Sequence, residues 1–350
     1  MHTLPPNHTE SHSSPSTVLA SVITGFEAFV ESQGANADTI LARAGLKRGL
    51  ALKPSSAIPL RGYCRALNEA VTATKNDNLG LWFGEQFMPC YSGLLGYLAL
   101  SAPTLKSALQ GLLDRFPIHQ QASYLRLNMC NDLYYLEYQV WDTTVIDRRQ
   151  DAELSLCKFL NIIRRAMGKQ WAPLEVHFRH AKPAAWQEHR WVFGTDVKFG
   201  QSRNALVFRG DILAQPMPNA DPTLQGVITQ ALDGLSSSRS PTTSLAQQVK
   251  MHITEMFHDG SPHLEDIVRR MSIPSWTLHR RLSRENVSFK TLLEEVRKEM
   301  VPVLMRQQPM TISELATRLG YSEVSAFSRA FQRWHGVSPK HWHEVQPVST

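Results

Sequence analysis

Apolar and polar positions recur along this chain with two different periods, and the changes of period mark its elements. Helical spacing, with apolar residues three and four apart, runs over 18–44, 59–74 and 104–116. Strict alternation follows at 122–129 and 133–141. Cys130-Asn131-Asp132 joins these β-favouring runs, and its turn chemistry predicts a hairpin. Helical spacing returns over 151–167, where Leu154, Phe159, Leu160, Ile163 and Met167 share a face. Shorter β-like pieces fall at 174–178, 196–199 and 205–208. The amino-terminal part is therefore expected to be an α+β domain with a small sheet.

The last hundred residues read as helix only, and they repeat. Leu264, Ile267, Val268, Met271, Ile273, Leu278 and Leu282 form one apolar series; Ile312, Leu315, Ala316, Leu319, Tyr321, Phe327 and Phe331 form a second. The offset is 48 residues through the first helix of each copy and 49 through the second, so the later copy has one extra turn residue. Gly320 in that turn suits a left-handed backbone after a helix. Each copy is a short helix, a tight turn and another helix. The expected carboxy-terminal domain is thus all-α, with two helix-turn-helix units joined by a linker helix over 288–308. Pro302 lies inside that linker, where its ring and missing N–H are expected to kink or interrupt the helix.

Between the halves, 235–244 reads LSSSRSPTTS, a polar run without apolar periodicity that suits a connector. The expected organisation is a polar tail at 1–17, a sensing domain at 18–215, a linker at 216–243 containing a short helix near 224–235, and the helical domain at 244–350. A chain of 350 residues exceeds what one core usually organises, which agrees with two domains. The four cysteines, Cys64, Cys90, Cys130 and Cys157, form no CxxC pair, so a reduced cytosolic setting fits better than a disulfide or zinc scaffold. No apolar run reaches the ~18 residues a membrane helix needs. His2, His8 and His12 in the tail could catch a metal, but composition favours an unstructured segment; no metal or cofactor is expected.

The formal charge is +6 and the pI about 9.2, which permits a polyanionic partner without requiring one. Helix-turn-helix units lay their second helix in the DNA major groove while the first braces it. On the first such helix, 275–286, Trp276, His279 and Arg280 recur at i, i+3 and i+4, away from Leu278 and Leu282. On the second, 323–335, Ser325, Ser328 and Arg329 repeat that spacing opposite Phe327 and Phe331. Arg can address guanine edges bidentately, and His and Ser can bond other base or phosphate atoms. Singly, such residues are usually solvated surface or, for Trp276, core; the duplicated spacing is what favours a DNA-facing role. Residues 250–350 hold 14 Lys and Arg against 11 Asp and Glu, so tight binding requires the positive charge to be focused on one face.

The run GYSEVSAFSRAFQRWHGVSP at 320–339, with ISELATRL at 312–319 and LHRRL at 278–282, resembles the signature of AraC/XylS-family transcription regulators over about 244–344. In the amino-terminal part, GLLGYLALSAPTL at 93–105, VHFRH at 176–180 and FGQSRNALVF at 199–208 resemble the arabinose-binding-type sensor domain of one branch of that family. The resemblance implies base-reading roles for Trp276, His279, Arg280, Ser325, Ser328 and Arg329, in agreement with the face analysis. It also implies a transcription regulator, more often an activator, that binds double-stranded promoter DNA. A small-molecule effector, a homodimer and proximity of the second unit to RNA polymerase are further implications.

Two other classes compete. Ada-type repair proteins share this DNA-binding region but need a four-cysteine zinc cluster, for which these cysteines are too dispersed. An architectural DNA binder without sequence preference gives no reason for a 200-residue companion domain. No GxSxG, HExxH, P-loop or dinucleotide fingerprint is present, so an enzyme is not expected. Asp151 and Glu153, at a helix start, are read as dipole-stabilising or capping residues rather than catalysts. Tyr91, Tyr124, Arg126, Tyr134 and Tyr138 could line an effector pocket, but aromatics in a hairpin more often pack a sheet, so the effector site stays unassigned.

Overall fold

The computed structural model describes residues 15–142, 144–238, 245–257, 262–271, 273–307 and 310–345. Its buried apolar side chains fall into two separate cores, one drawing on residues from Val18 to Leu232 and the other from Val249 to Phe331. His2, His8 and His12 lie outside the described residues, as do 239–244, most of the polar connector.

The chain enters through β1 (Thr17–Leu19), then a 3-10 turn at Ala20–Ile23 and two short helices, α1 (Phe26–Ser32) and α2 (Ala37–Arg43). The single helical stretch expected over 18–44 is therefore broken up. Gly25 and Gly34 sit at φ +82° and +79°, left-handed positions that stop a right-handed helix, and Asn36 restarts it by accepting from the Thr39 N–H at 2.8 Å. β1 pairs antiparallel with β2 (Ala57–Pro59), a partner about forty residues away that local periodicity cannot reveal.

The next elements are α3 (Leu60–Thr74), α4 (Leu79–Gln86), α5 (Leu94–Ser101) and α6 (Leu105–His119). Thr104 and Ser107 form a reciprocal capping box at the start of α6. The expected hairpin is present as β3 (Ser123–Cys130) and β4 (Leu133–Val140), with Asn131 and Asp132 both at positive φ, +50° and +61°, as a two-residue type I′ turn demands. After α7 (Arg149–Met167) come β5 (Glu175–His177), α8 (Gln187–Phe193), β6 (Val197–Lys198) and β7 (Ala205–Arg209). The sheet order is β3-β4-β7-β5-β6, antiparallel except for the β5–β6 pair.

α7 is the spine of this domain, buried along most of its length and packed against α4. Two glycines permit that approach. A Cβ on Gly80 would lie 2.2 Å from the Gln150 carbonyl oxygen, and one on Gly84 would lie 2.6 Å from the Cys157 Cβ. Within the interval expected as linker, α9 (Pro222–Ser238) packs on α5 and contributes Ile228 and Leu232 to the first core.

The second core is enclosed by helices alone: α10 (Leu245–Met256), α11 (Leu264–Met271), α12 (Ser275–Arg284), α13 (Phe289–Gln307), α14 (Ile312–Arg318), α15 (Val324–His335) and α16 (Pro339–Val345). α13 continues through Pro302, so the expected interruption there does not occur. The fold is thus an α+β domain with a small sheet followed by an all-α domain of two helix-turn-helix units. No helix among the described residues is long and apolar enough to cross a membrane.

Candidate nucleic-acid interface

α11–α12 and α14–α15 are the two helix-turn-helix units, and their turns are built alike. The Ile273 N–H reaches the Val268 carbonyl at 3.3 Å, and the Tyr321 N–H reaches that of Ala316 at 3.0 Å, partners related by the same 48-residue offset. The extra residue of the later copy therefore falls after Tyr321. Gly320 adopts φ +71°, as its place after α14 requires. Thr311 and Glu314 close a capping box at the start of α14. α12 starts instead from the Pro274 carbonyl, which accepts from the N–H groups of Thr277 and Leu278 at 2.9 and 3.0 Å.

Each second helix has one sealed face and one open face. Leu278 and Leu282 are buried in α12, and Phe327, Ala330 and Phe331 in α15. Opposite them, Trp276 is 64% exposed, His279 and Arg280 are exposed, and the Arg280 guanidinium lies 5.0 Å from the Trp276 ring centroid. That cation–π contact ties two of the expected reading residues into one unit. On α15, Ser325 and Arg329 are exposed and Ser328 is half-buried. The Ser325 hydroxyl donates to Glu323 at 3.1 Å, leaving its oxygen lone pairs free to accept.

The charge arrangement answers the weak basic excess read from the sequence. Four acidic groups of this half, Glu285, Glu294, Glu295 and Glu299, are tied to its framework, whereas Glu323 stays exposed beside Ser325. Glu285 accepts from the N–H groups of Leu245 and Ala246 at the start of α10, both at 3.0 Å. Glu295 and Glu299 pair with Lys250, and Glu294 pairs with Arg333 at 2.7 Å. Arg280, Arg281, Arg284 and Arg329 have no ion pair to a carboxylate among the described residues, so α12 presents three such cations and α15 one, with Glu323 exposed near it. Arg297, on the linker helix, turns inward. Its Nε and Nη2 donate to the carbonyls of Leu319 and Gly320 at 2.9 and 3.0 Å, and its guanidinium covers the Tyr321 ring at 4.3 Å. The linker helix thus clamps the second turn in place, a role that periodicity has no means to signal.

In the first domain the two helix-start carboxylates do something other than cap. Glu153 is fully buried, and its Oε1 is bonded to Arg149 Nε at 2.9 Å and His189 Nε2 at 2.8 Å, with His180 Nε2 3.3 Å away but not hydrogen-bonded to it. Burial pushes its pKa up. The bond and charge of His189, with the charges of Arg149 and His180, outweigh that and hold it below the usual Glu value. Asp151 accepts from the Tyr138 hydroxyl at 2.7 Å, and Gln120 in turn donates to Tyr138 at 2.6 Å. Burial raises the Asp151 pKa to about 6 and lowers that of Lys158 to about 8, each opposed by the other's charge. Of the dipole-or-capping expectation the capping half fails, because α7 is a central helix whose first turns face the core; Asp151 does stand in its first turn, where the dipole favours a carboxylate.

The other aromatic candidates pack as sheet residues usually do. Tyr134 stacks on Phe208 at 6.1 Å, Arg126 lies 4.8 Å over Tyr124, and Tyr91 meets Phe87 edge-on at 5.6 Å. The four cysteines are free and lie on four different segments: Cys64 on α3, Cys90 between α4 and α5, Cys130 at the end of β3 and Cys157 on α7.

Two tandem helix-turn-helix units behind an α+β domain define a DNA-binding protein of the regulatory kind, and comparison with known proteins agrees. The family model described as the arabinose-binding domain of AraC transcription regulator, N-term, matches residues 34–217, and a helix-turn-helix domain model matches 267–344. The chain belongs to the AraC family of transcription regulators, in the branch with that amino-terminal domain. It is similar to the HTH-type transcriptional regulator VirS of Mycobacterium tuberculosis, with 24% identity over 340 residues, 95% of this chain and 98% of that one. The ornithine utilization regulator of Pseudomonas aeruginosa is 25% identical over 269 residues, covering 76% of this chain and 78% of the relative. An HTH-type transcriptional regulator of Mycobacterium bovis reaches 35% over 150 residues, 42% of each chain. The protein is accordingly a DNA-binding transcriptional regulator and not an enzyme.

Proposed function

We propose that the protein activates transcription from promoters it recognises through both reading helices, in response to a small metabolite taken up by its amino-terminal domain. The observation that carries the reading is the pair of open, arginine-bearing faces on α12 and α15. Each is held by a sealed apolar face of its own unit, and they are joined through a 19-residue helix. At 1.5 Å per residue that helix spans about 28 Å, close to the ~34 Å of one duplex turn, so two units on it suit successive major-groove segments on one side of DNA. Trp276, His279 and Arg280 address one segment; Ser325, Ser328 and Arg329 address the other. A homodimer presents four units and gains affinity through effective concentration, and the second unit sits nearest RNA polymerase.

For a metabolite to regulate this protein it must bind the DNA-competent and incompetent arrangements with different affinities. The α+β domain, with its own core and a polar connector to the DNA-binding half, is the element that supports such a role. The base-reading assignment is tested by selecting bound sequences from a random duplex pool with full-length protein and its variants. Arg280→Ala and Arg329→Ala should each cost about 1–3 kcal/mol and relax preference at one segment only, a different one for each. A uniform loss over all sequences reassigns the residue to a phosphate contact.

A further inference from the structure

A cavity of about 480 Å³ opens between the segment at the end of α4 and the second half of α7, in the size range of small-molecule sites, ~300–1,000 Å³. It is pre-formed: Asn161 on α7 donates through Nδ2 to the carbonyls of Gly84, Glu85 and Phe87 at 3.0, 3.2 and 3.0 Å, which pins one wall to the other. Met88 and Pro218, both exposed, supply apolar lining, while Phe87 borders the cavity with its ring turned into the core.

The cations in it are unequal. Arg164 is already committed, with Nε on the Trp171 carbonyl at 2.9 Å and Nη2 on that of Val192 at 3.1 Å, and its charge is set against that of Glu85, a carboxylate that lines the same cavity. Arg165 and Lys169 are exposed and have no ion pair among the described residues. Two uncompensated cations beside an apolar lining match an anion that also carries an apolar body. A bare inorganic anion leaves Met88 and Pro218 unused, and a neutral apolar molecule leaves the cations unused.

Pro218 gives the site a mechanical consequence. It belongs to the strap between β7 and α9, fixed on either side where the Met217 N–H meets the Pro103 carbonyl at 3.1 Å and the Asp221 N–H meets that of Ser101 at 2.9 Å. α9 is the last helix before the connector to the DNA-binding half. An occupant in contact with Pro218 therefore bears on the segment through which the two halves are joined.

We infer that this cavity is the effector site of the protein and that it takes a small monocarboxylate with an apolar body, an inference that rests on the proposed sensing role. The carboxylate meets Arg165 and Lys169, and the apolar body lies against Met88 and Pro218. The test uses the full-length protein, with hexanoate, octanoate, benzoate and phenylacetate as probes and the corresponding amides as neutral controls. Isothermal titration should show millimolar or tighter binding of at least one carboxylate and none of its amide. The Arg165→Ala/Lys169→Ala variant changes two exposed side chains, so its unfolding midpoint without ligand should match the parent protein. Its affinity for that carboxylate should fall about tenfold or more. If no carboxylate of the set binds at millimolar concentration, or if an amide binds as well as its acid, the assignment is overturned. A carboxylate that binds the double variant as tightly as the parent protein also removes the cavity from consideration. In that case a metabolite that shifts DNA affinity equally in both proteins leaves the sensing role standing; the two readings fail separately.

Discussion

Phe331→Ala should cost the DNA-binding half about 3–5 kcal/mol, the range for deleting a buried aromatic ring. Phe331 is fully buried, packs edge-on against Phe327 at 5.6 Å and Trp342 at 5.9 Å, and has the His335 ring at 4.6 Å. No atom of its side chain faces the open side of α15, so any loss of DNA binding acts through the placement of that helix. Hydrogen exchange on the full chain is the measurement: protection in α14 to α16 should fall by about a hundredfold or more while that of α7 stays unchanged. Equal protection in both proteins means that the aromatic cluster does not hold the second unit together.

Glu153→Ala should be as costly in the other domain, about 3–5 kcal/mol, because it leaves the Arg149 guanidinium and the buried His189 ring without the carboxylate they bond. Arg149 and His189 both point at one carboxylate oxygen, and His189 is itself fully buried. The sign of the pH dependence follows from the lowered folded pKa. The stabilisation is fully present above the unfolded Glu value, near 4.5, and is lost as pH falls through the lower folded value. Urea unfolding at pH 7 should show the loss in the variant, and the gap between parent and variant should narrow on acidification below that range. A gap that is small at pH 7, or that widens in acid, contradicts the ion-network description.

What could be read from the sequence, and what could not, divides by how local the cause is. The helix-turn-helix pair was legible because seven apolar positions recur at fixed offsets and because Phe327 and Phe331 have to seal one face whatever else happens. The hairpin was legible because Asn131 and Asp132 tolerate the positive φ its turn needs. The stretch at 18–44 misled because its apolar spacing is helical while its structure is set by a distant strand and by two glycines in left-handed conformation. α4 drew no notice since Gly80 and Gly84 weaken a helix in isolation; they serve the contact with α7. Glu153 reads from the sequence as a dipole-stabilising or capping residue and nothing there singles out Arg297; only the tertiary neighbours, His189 for one and the Leu319 carbonyl for the other, give them their roles. The cavity was invisible for a related reason, since its lining comes from three separated segments.

The central claim is that two helix faces on one chain read DNA sequence. It is tested most directly by measuring the affinity of the full-length protein for a selected duplex site and for a scrambled duplex of the same length, at one physiological salt concentration. The account predicts tighter binding to the selected site by a factor of about 10³ or more, with the preference sharply reduced when Arg280 and Arg329 are both replaced by Ala. Equal affinity for the two duplexes, or a preference unchanged in the double variant, contradicts it.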